Sequence, residues 1–448
     1  MDRVDLLPDL GNFVFTIVSF VVALSIIVTI HEFGHYIIGR WSGIKAEVFS
    51  LGFGPRLISR TDKHGTRWQI AALPFGGYVK FLGDANAASA KANDAEMAQL
   101  SPEERRHTMH GAPLWARAAT VIAGPLFNFI LSIAVIAGLM LYTGTATDKP
   151  VIGTLFELPE GTGDLQSGDQ ILSVAGKATP DYPAFSEALD TAPTGPVLPM
   201  QVDRNGQTID LDGPQLFPPR FTGVTPKSAS YAAGLGEGDV VTSIDGTPVW
   251  TFEDLRQAVA GSNGRTLKLT VWHPETKETT EVALTPKRTD IPAPDGGFET
   301  RWMIGATGGF VFAPETRPTR LGEALNGAVS QTWGIVTQSV SGLANMVAGN
   351  ISSCNLQGAI GIAQGSAAAA KSGLENFIWF IAVLSTAVGF LNLFPIPALD
   401  GGHLMFYCYE AIVGKPPSDR IMNVLMSIGI AAVLSLMVFG LSNDIFCP

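Results

Sequence analysis

Charged side chains are scarce in this chain. Asp, Glu, Lys and Arg make up 15% of the 448 residues, whereas a soluble domain carries about 25%. The net charge of −11 lacks the basic excess that a nucleic-acid partner would require, so no nucleic acid is expected. Hydrophobic residues make up 46% of the chain and are clustered, and the length allows two or more domains.

Cysteine is also rare. Cys354, Cys408 and Cys447 are odd in number and far apart, so they match neither a metal-binding nor a disulfide spacing. We interpret all three as ordinary small apolar residues.

The chain contains long apolar runs that have few or no charged residues. Crossing a bilayer core takes about 20 apolar residues in a helix. The runs predict four transmembrane helices, at 11–39, 118–143, 376–399 and 421–443. The first is not expected to be a cleavable signal peptide, because the residues before it are acidic on balance and the run is too long.

Lysine and arginine predict the orientation, since cytoplasmic loops carry an excess of both. They cluster between the first and second spans and again between the third and fourth, whereas the tail after the fourth span has none. We therefore expect a cytoplasmic loop at 40–117. Both termini and the segment between the second and third spans are expected outside the cytoplasm.

The loop 40–117 contains two glycine-rich stretches, at 51–57 and 73–81, with a strand-like stretch between them. They predict a β-hairpin close to the membrane, and a small cytoplasmic sheet is the alternative. Residues 85–104 are alanine-rich and polar, which predicts a flexible excursion.

An internal repeat follows the second span. Four residues recur seventy positions later: Leu165, Gly168, Asp169 and Gly176 return as Leu235, Gly238, Asp239 and Gly246. The repeat predicts two copies of one small α/β domain, at 144–219 and 220–288. The second copy, with SASYAAGLGEGDVVTSIDGTPV, resembles a PDZ domain, which binds an extended peptide as an added strand. The first copy lacks the AAGL lead-in, and both copies acting as spacers or steric covers is the alternative.

The segment after the repeat is rich in proline and glycine, and 289–319 is predicted to be a linker. From 320 to 350, apolar residues recur at helical spacing among polar ones, which predicts an amphipathic helix at the membrane interface. The uncharged run 324–370 raises the question of a fifth span. Its polar side chains argue against one.

The chemistry lies in TIHEFGHYI, at the end of the first apolar run. Residues four apart share a helix face, so His31 and His35 can bind one metal ion, with Glu32 beside it as general base. This is the zinc-peptidase pattern. Ionisable groups at membrane depth are costly and usually functional.

A catalytic zinc takes three protein ligands and leaves one position open. We predict Asp400, in NLFPIPALDGGH at the end of the third span, as the third ligand, with His403 as the competitor. Pro395 and Pro397 break the helix, which is tolerated at membrane depth only within protein or beside a wet cavity. Asp400 meets the histidines only if the first and third spans run in the same direction, which a fifth span would prevent.

HEFGH, AGPLFNF at 123–129, the tandem repeat and NLFPIPALDGGH together resemble the site-2 protease family of intramembrane zinc metalloproteases. The resemblance covers nearly the whole chain, in order. It implies an endopeptidase with one zinc ion, in which Glu32 is the general base for a zinc-activated water. Its substrates would be transmembrane segments of membrane proteins, such as pre-trimmed anti-sigma factors and remnant signal peptides, in regulated intramembrane proteolysis. The implied location is the bacterial inner membrane, with the PDZ copies and both termini in the periplasm.

The resemblance also implies residues that contact the substrate. Asn392 would position the substrate backbone, and the glycine-rich loop would form a membrane-reentrant sheet that pairs with the unwound substrate. The loop residues concerned are Gly52, Phe53, Gly54, Gly76, Gly77 and Tyr78.

Three other functions fit parts of the sequence. A scaffold or receptor with a vestigial metal site is disfavoured by the intact ligand set. A metal transporter would be expected to show repeated halves among its spans. An ordinary metalloprotease acting on soluble peptides is disfavoured by the depth of the motif. The fold expected is therefore a polytopic α-helical membrane protein with four transmembrane helices, two extracytoplasmic α/β PDZ domains and a membrane-associated β region on the cytoplasmic side.

Overall fold

A computed structural model of the chain describes residues 10–85, 93–292 and 298–447. Residues 1–9, before the first span, and 86–92 within the predicted excursion lie outside the described residues. Two compact units are present. Among the described residues, the first comprises those up to Leu139 with Leu321–Ala344 and Leu356–Cys447, and the second comprises those within Met140–Arg320 with Asn345–Asn355.

The described helices are, in chain order, α1 (Leu10–Trp41), α2 (Asp94–Gln99), α3 (Pro102–Arg105), α4 (Leu114–Thr143), α5 (Tyr182–Asp190), α6 (Ala229–Ala232), α7 (Phe252–Gly261), α8 (Leu321–Val347), α9 (Ala359–Lys371), α10 (Leu374–Asn392), α11 (Asp400–Val413) and α12 (Asp419–Phe446).

The described strands are β1 (Ala46–Thr61), β2 (Arg67–Phe81), β3 (Thr145–Ala146), β4 (Ile152–Leu155), β5 (Gln170–Val174), β6 (Lys177–Ala178), β7 (Leu198–Arg204), β8 (Gln207–Gly213), β9 (Phe221–Val224), β10 (Val240–Ile244), β11 (Thr247–Pro248), β12 (Leu267–Trp272), β13 (Thr279–Leu284), β14 (Lys287–Pro292), β15 (Phe298–Met303), β16 (Ala306–Gly308), β17 (Phe312–Pro314) and β18 (Thr316–Arg317).

Within the described ranges, four helices are long and apolar enough to cross a membrane: α1, α4, α10 and α12. Each of them overlaps one of the four predicted spans. The long helix α8 is not among them, as its interspersed polar residues led us to expect. The described chain therefore has the make-up of a polytopic membrane protein.

The third span ends earlier than predicted. We expected it to reach residue 399, but α10 ends at Asn392 and a new helix, α11, begins at Asp400. Pro395 and Pro397 lie in the break because proline cannot continue a helix. A Cβ at Gly401 would lie 2.3 Å from two backbone carbonyl oxygens of the break, those of Leu393 and Phe394. The tight turn therefore depends on glycine, and it places Asp400 at a helix start.

The hairpin predicted in the inner loop is present as the antiparallel pair β1–β2. Its turn is held by Asp62, whose carboxylate accepts hydrogen bonds from the backbone N–H groups of His64 and Thr66 at 2.8 and 3.0 Å. Near the turn, the Trp68 indole N–H donates to Asp62 at 3.0 Å, and the Tyr36 hydroxyl of α1 donates to the same carboxylate at 3.3 Å. These bonds fix the hairpin to the end of α1.

The second unit contains two four-stranded sheets with the same connectivity, β6-β5-β7-β8 and β11-β10-β12-β13. Helix α5 accompanies the first sheet and α7 the second, and each copy encloses its own apolar core. The GD turns recur in both copies as well. Asp169 is bonded to Arg204 at 2.7 Å, and Asp239 lies 2.7 Å from His273 Nδ1.

The prediction of a linker at 289–319 is wrong for the residues described. That segment contains most of the β14–β15 hairpin and the short strands β16, β17 and β18. Strand β16 pairs with β9, β17 with β4 and β18 with β3. The chain thus returns past both copies, and partners so distant in sequence leave no local pattern to detect.

The interpretation of the cysteines is wrong for two of the three. Cys354 and Cys447 are disulfide-bonded, whereas Cys408 is free and exposed. A disulfide requires the Cα atoms to approach within about 7 Å in the fold, and sequence spacing does not reveal this for distant residues.

Candidate metal centre

Helix α1 carries two of the predicted ligands. His31 and His35 are one helical turn apart, so both imidazoles leave the same face of the helix. Their Nε2 atoms lie 3.2 Å apart, and both side chains are largely buried. The two nitrogens point into one small space.

Asp400 brings the third predicted ligand to that space. Its Oδ2 atom lies 3.2 Å from His31 Nε2 and 3.5 Å from His35 Nε2. In the described parts of the chain, this buried oxygen has no hydrogen-bond partner. The lone pairs of these three buried atoms converge on one point, which favours binding of a cation there. Two imidazole nitrogens with one carboxylate oxygen suit zinc. His31, His35 and Asp400, here called the ligand group, therefore fit one zinc ion.

The far side of His35 is fixed by the backbone of α4. Its Nδ1 atom lies 2.8 Å from the carbonyl oxygen of Thr120. A carbonyl can only accept, so Nδ1 carries the proton and Nε2 keeps its lone pair for the metal. Such an outer partner is the usual way in which a histidine ligand is oriented.

Glu32 lies between the two histidines in sequence and faces strand β2. A Cβ at Gly77 would lie 3.3 Å from Glu32 Cγ and 2.8 Å from the carbonyl oxygen of Ser50. Glycine at this position therefore lets β2 pass directly against the predicted general base.

A cavity of about 310 Å³ joins these elements. It contains the ligand group, Glu32 and four of the predicted substrate contacts, namely Phe53, Gly77, Tyr78 and Asn392. The rings of Phe53 and Tyr78 stack with centroids 5.9 Å apart. His403, the competing third ligand, also lines the cavity but does not belong to the ligand group among the described residues.

Three other predicted contacts, Gly52, Gly54 and Gly76, are not in the lining of that cavity as described. They shape the hairpin instead, because all three have positive φ. A Cβ at Gly52 would lie 2.5 Å from the carbonyl oxygen of Leu73, so glycine is required where the two strands come close together.

Sequence reasoning missed the part that α4 plays. A Cβ at Gly124 would lie 2.3 Å from His35 Nε2 and 2.9 Å from His31 Cε1, so glycine leaves room for both rings. Arg117 forms two hydrogen bonds with Glu410 of α11, at 3.1 and 2.5 Å. The sequence feature that could have indicated this role is the segment AGPLFNF, in which glycine, proline and asparagine interrupt an apolar helix.

Comparison with known proteins identifies the family. The sequence model of peptidase family M50 matches residues 19–436. The chain belongs to peptidase family M50. A relative in Rhizobium meliloti named "Putative zinc metalloprotease" is 37% identical over 97% of this chain and 98% of its own length. The regulator of sigma-E protease of Salmonella typhimurium is 32% identical over 97% of this chain and 99% of its own.

M50 membership agrees with the resemblance to site-2 proteases stated from the motifs. The chain is therefore a zinc metallopeptidase, a hydrolase of peptide bonds. Its four candidate spans, together with the bacterial origin of the relatives over whose length it aligns, indicate a bacterial membrane protein.

Proposed function

We propose that this M50 peptidase cuts transmembrane segments of membrane proteins within the bilayer. The observation that carries the proposal is the convergence of the ligand atoms of His31, His35 and Asp400 within 4.8 Å of one another. His31 and His35 belong to the candidate span α1, and Asp400 follows the break after the candidate span α10. A site so placed is reached by a peptide bond of a membrane-embedded segment.

The proposed roles follow from the chemistry of the side chains. His31, His35 and Asp400 hold the zinc, which when bound polarises a carbonyl and lowers the pKa of a water toward neutrality. Glu32 takes the proton as the water attacks the scissile carbonyl and passes it to the leaving nitrogen. The substrate must be locally unwound, because helical carbonyls are occupied by their own hydrogen bonds.

Substrate binding is assigned to the face of the cavity formed by the hairpin. Strand β2 passes Glu32 at Gly77, and an extended substrate would be bound beside it by strand addition. Tyr78 and Phe53 would contact its side chains. Asn392, whose amide donates to the Val388 carbonyl oxygen at 3.0 Å, would position the substrate backbone from the end of α10.

The proposed membrane topology is the one predicted from the distribution of lysine and arginine, with the loop 40–117 in the cytoplasm. The disulfide-bonded state of Cys354 and Cys447 supports it, because disulfides persist in oxidising compartments. Both residues would then lie on the periplasmic side of a bacterial inner membrane, as would the termini and the two repeat domains.

The two repeat domains are proposed to be PDZ domains that control access to the site. Either they bind a peptide of the substrate, or they exclude substrates with bulky external domains. Pre-trimmed anti-sigma factors and remnant signal peptides are the proposed substrate class, which the similarity to a regulator of sigma-E protease supports.

The proposal is tested by incubating the purified protein in detergent with single-span substrates, with and without their external domains. We expect cleavage that is abolished by a zinc chelator and by Glu32→Gln, and that is faster for the trimmed form. Glu32→Gln should still contain one zinc, because glutamate is not a ligand. Cleavage by the purified Glu32→Gln protein would contradict the role of Glu32.

A further inference from the structure

Asn128 of α4 lies behind His31, on the side away from the ligand group. It is fully buried, and its Nδ2 atom is 3.2 Å from His31 Nδ1. Its Oδ1 atom is buried and has no hydrogen-bond partner among the described residues. The amide is thus held near one partner only, the imidazole of a predicted ligand.

The position of Asn128 is fixed by its own backbone. Its carbonyl oxygen accepts hydrogen bonds from the hydroxyls of Ser132 and Ser385, both at 3.0 Å. The Ser132 hydroxyl also lies 2.7 Å from the carbonyl oxygen of Ala382. A Cβ at Gly389 would lie 3.0 Å from Asn128 Cβ, so α10 packs closely over the residue. Helices α4 and α10 together aim the carboxamide at His31.

The direction of the hydrogen bond follows from the metal chemistry. If Nδ2 donated to His31 Nδ1, the imidazole proton would sit on Nε2 and point at Asp400 and His35. A ligating Nε2 must instead be unprotonated, which places the proton on Nδ1. The two ends of a carboxamide are nearly identical in shape, and their assignment rests on the hydrogen-bond network. With the amide turned by half a rotation, Oδ1 accepts the Nδ1 proton.

We propose that Asn128 is the positioning residue of His31, accepting its Nδ1 proton through the carboxamide oxygen. Thr120 does the same for His35 through its backbone carbonyl. Helix α4 therefore sets the tautomer and the orientation of both imidazoles. The inference rests on the proposed role of His31 as a zinc ligand.

The test compares zinc affinities of the whole protein in detergent, measured by competition with a chromophoric chelator. Asn128→Leu keeps the approximate shape of the side chain and removes the acceptor. Losing an outer-shell partner weakens metal binding by about 10–100-fold, and we expect a loss in that range. Asn128→Asp keeps an oxygen acceptor and should stay within a few-fold of the unmodified protein.

Gly138→Ala is the matched control, because Gly138 lies in the same helix and a Cβ there meets no atom of the described residues within 4 Å. It should leave zinc affinity unchanged. Wild-type affinity in Asn128→Leu would overturn the proposal. So would an equal loss in Asn128→Leu and Asn128→Asp, because an acceptor would then not be what His31 requires.

A second measurement needs no variant to fold. Two-bond ¹H–¹⁵N correlations in zinc-loaded, histidine-labelled protein report which nitrogen of His31 is protonated. We expect Nδ1 to carry the proton, and a proton on Nε2 would overturn the proposal. A wild-type protein that binds no zinc would instead contradict the proposed function itself, so the two failures are distinguishable.

Discussion

At the level of single residues, the site depends on glycines at positions where a larger side chain would not fit. Gly124 leaves room for both imidazoles, Gly77 lets β2 approach Glu32, and Gly401 closes the turn before α11. Protein interiors are packed as densely as organic crystals, so even one methyl group at such a position must displace something. At Gly124 the displaced groups would be the two imidazoles, at Gly77 the Ser50 carbonyl and Glu32, and at Gly401 the backbone carbonyls of the break.

Gly124→Ala tests this directly. The added Cβ would lie 2.3 Å from His35 Nε2, so the imidazole must move away from the ligand group. We expect zinc affinity to fall at least tenfold, measured by chelator competition. Gly138→Ala is the matched control in the same helix, because a Cβ there meets no atom of the described residues within 4 Å. Equal zinc affinities in the two variants would show that Gly124 provides no essential clearance.

At the scale of elements, the ligand group depends on helices that hold one another in place. Asp400 is the first residue of α11, and the ion pair of Arg117 with Glu410 joins that helix to α4. Its two side chains are only 14% and 17% exposed, and Arg117 also lies over the ring of Tyr407, 5.1 Å from its centroid. Helix α4 thus contacts every helix that carries a ligand.

Glu410→Gln removes the negative charge of the pair and leaves the charge of the largely buried Arg117 uncompensated. Breaking a buried pair destabilises a protein by about 3–5 kcal/mol, and partial exposure places this pair at the lower end. We expect a lower Tm together with weaker zinc binding, because the helix that carries Asp400 is loosened. Glu253→Gln, in an exposed pair with Arg256, is the control and should change neither. A stable Glu410→Gln protein with full zinc affinity would refute the anchoring role.

The elements that the sequence predicted are those with a local signal. The motif HEFGH places two metal-ligating side chains and a glutamate within about one helical turn. The four spans are recognised by their long apolar runs. The break before Asp400 was readable from Pro395 and Pro397. The extra helix α11 was not, because its start depends on glycines that pack against the preceding turn.

Features formed by distant partners could not be predicted. Strands β16, β17 and β18 are two or three residues long and pair with strands far back in the chain, so their composition resembled that of a linker. The contacts of Thr120 and Asn128 with the histidines are likewise non-local. Their helix could be predicted from its apolar run, but which of its faces meets α1 could not.

At the scale of the whole molecule, the cysteines offer a test of the topology. Cys354 and Cys447 are disulfide-bonded and Cys408, in the segment between the third and fourth spans, is free. With the proposed orientation, Cys354 and Cys447 face the periplasm and Cys408 faces the cytoplasm. Cys354 and Cys447 should therefore differ from Cys408 both in redox state and in accessibility to a reagent added outside the cell.

Intact cells treated with a membrane-impermeant maleimide should show no labelling at any of the three positions. After treatment with a reductant that converts the disulfide-bonded cysteines to thiols, Cys354 and Cys447 should be labelled. Cys408 should remain unlabelled until the membrane is permeabilised. A Cys408→Ala protein provides the control. Labelling of Cys408 in intact cells would contradict the proposed orientation.

The proposed reaction is the cleavage of a peptide bond inside a transmembrane segment. The most direct test is to map the cut by mass spectrometry of the products formed from a single-span substrate by the purified protein. We expect cuts at one or a few bonds within the apolar segment, made by the wild-type protein and not by Glu32→Gln. Products ending only in the soluble flanks of the substrate, or equal products from both proteins, would contradict it.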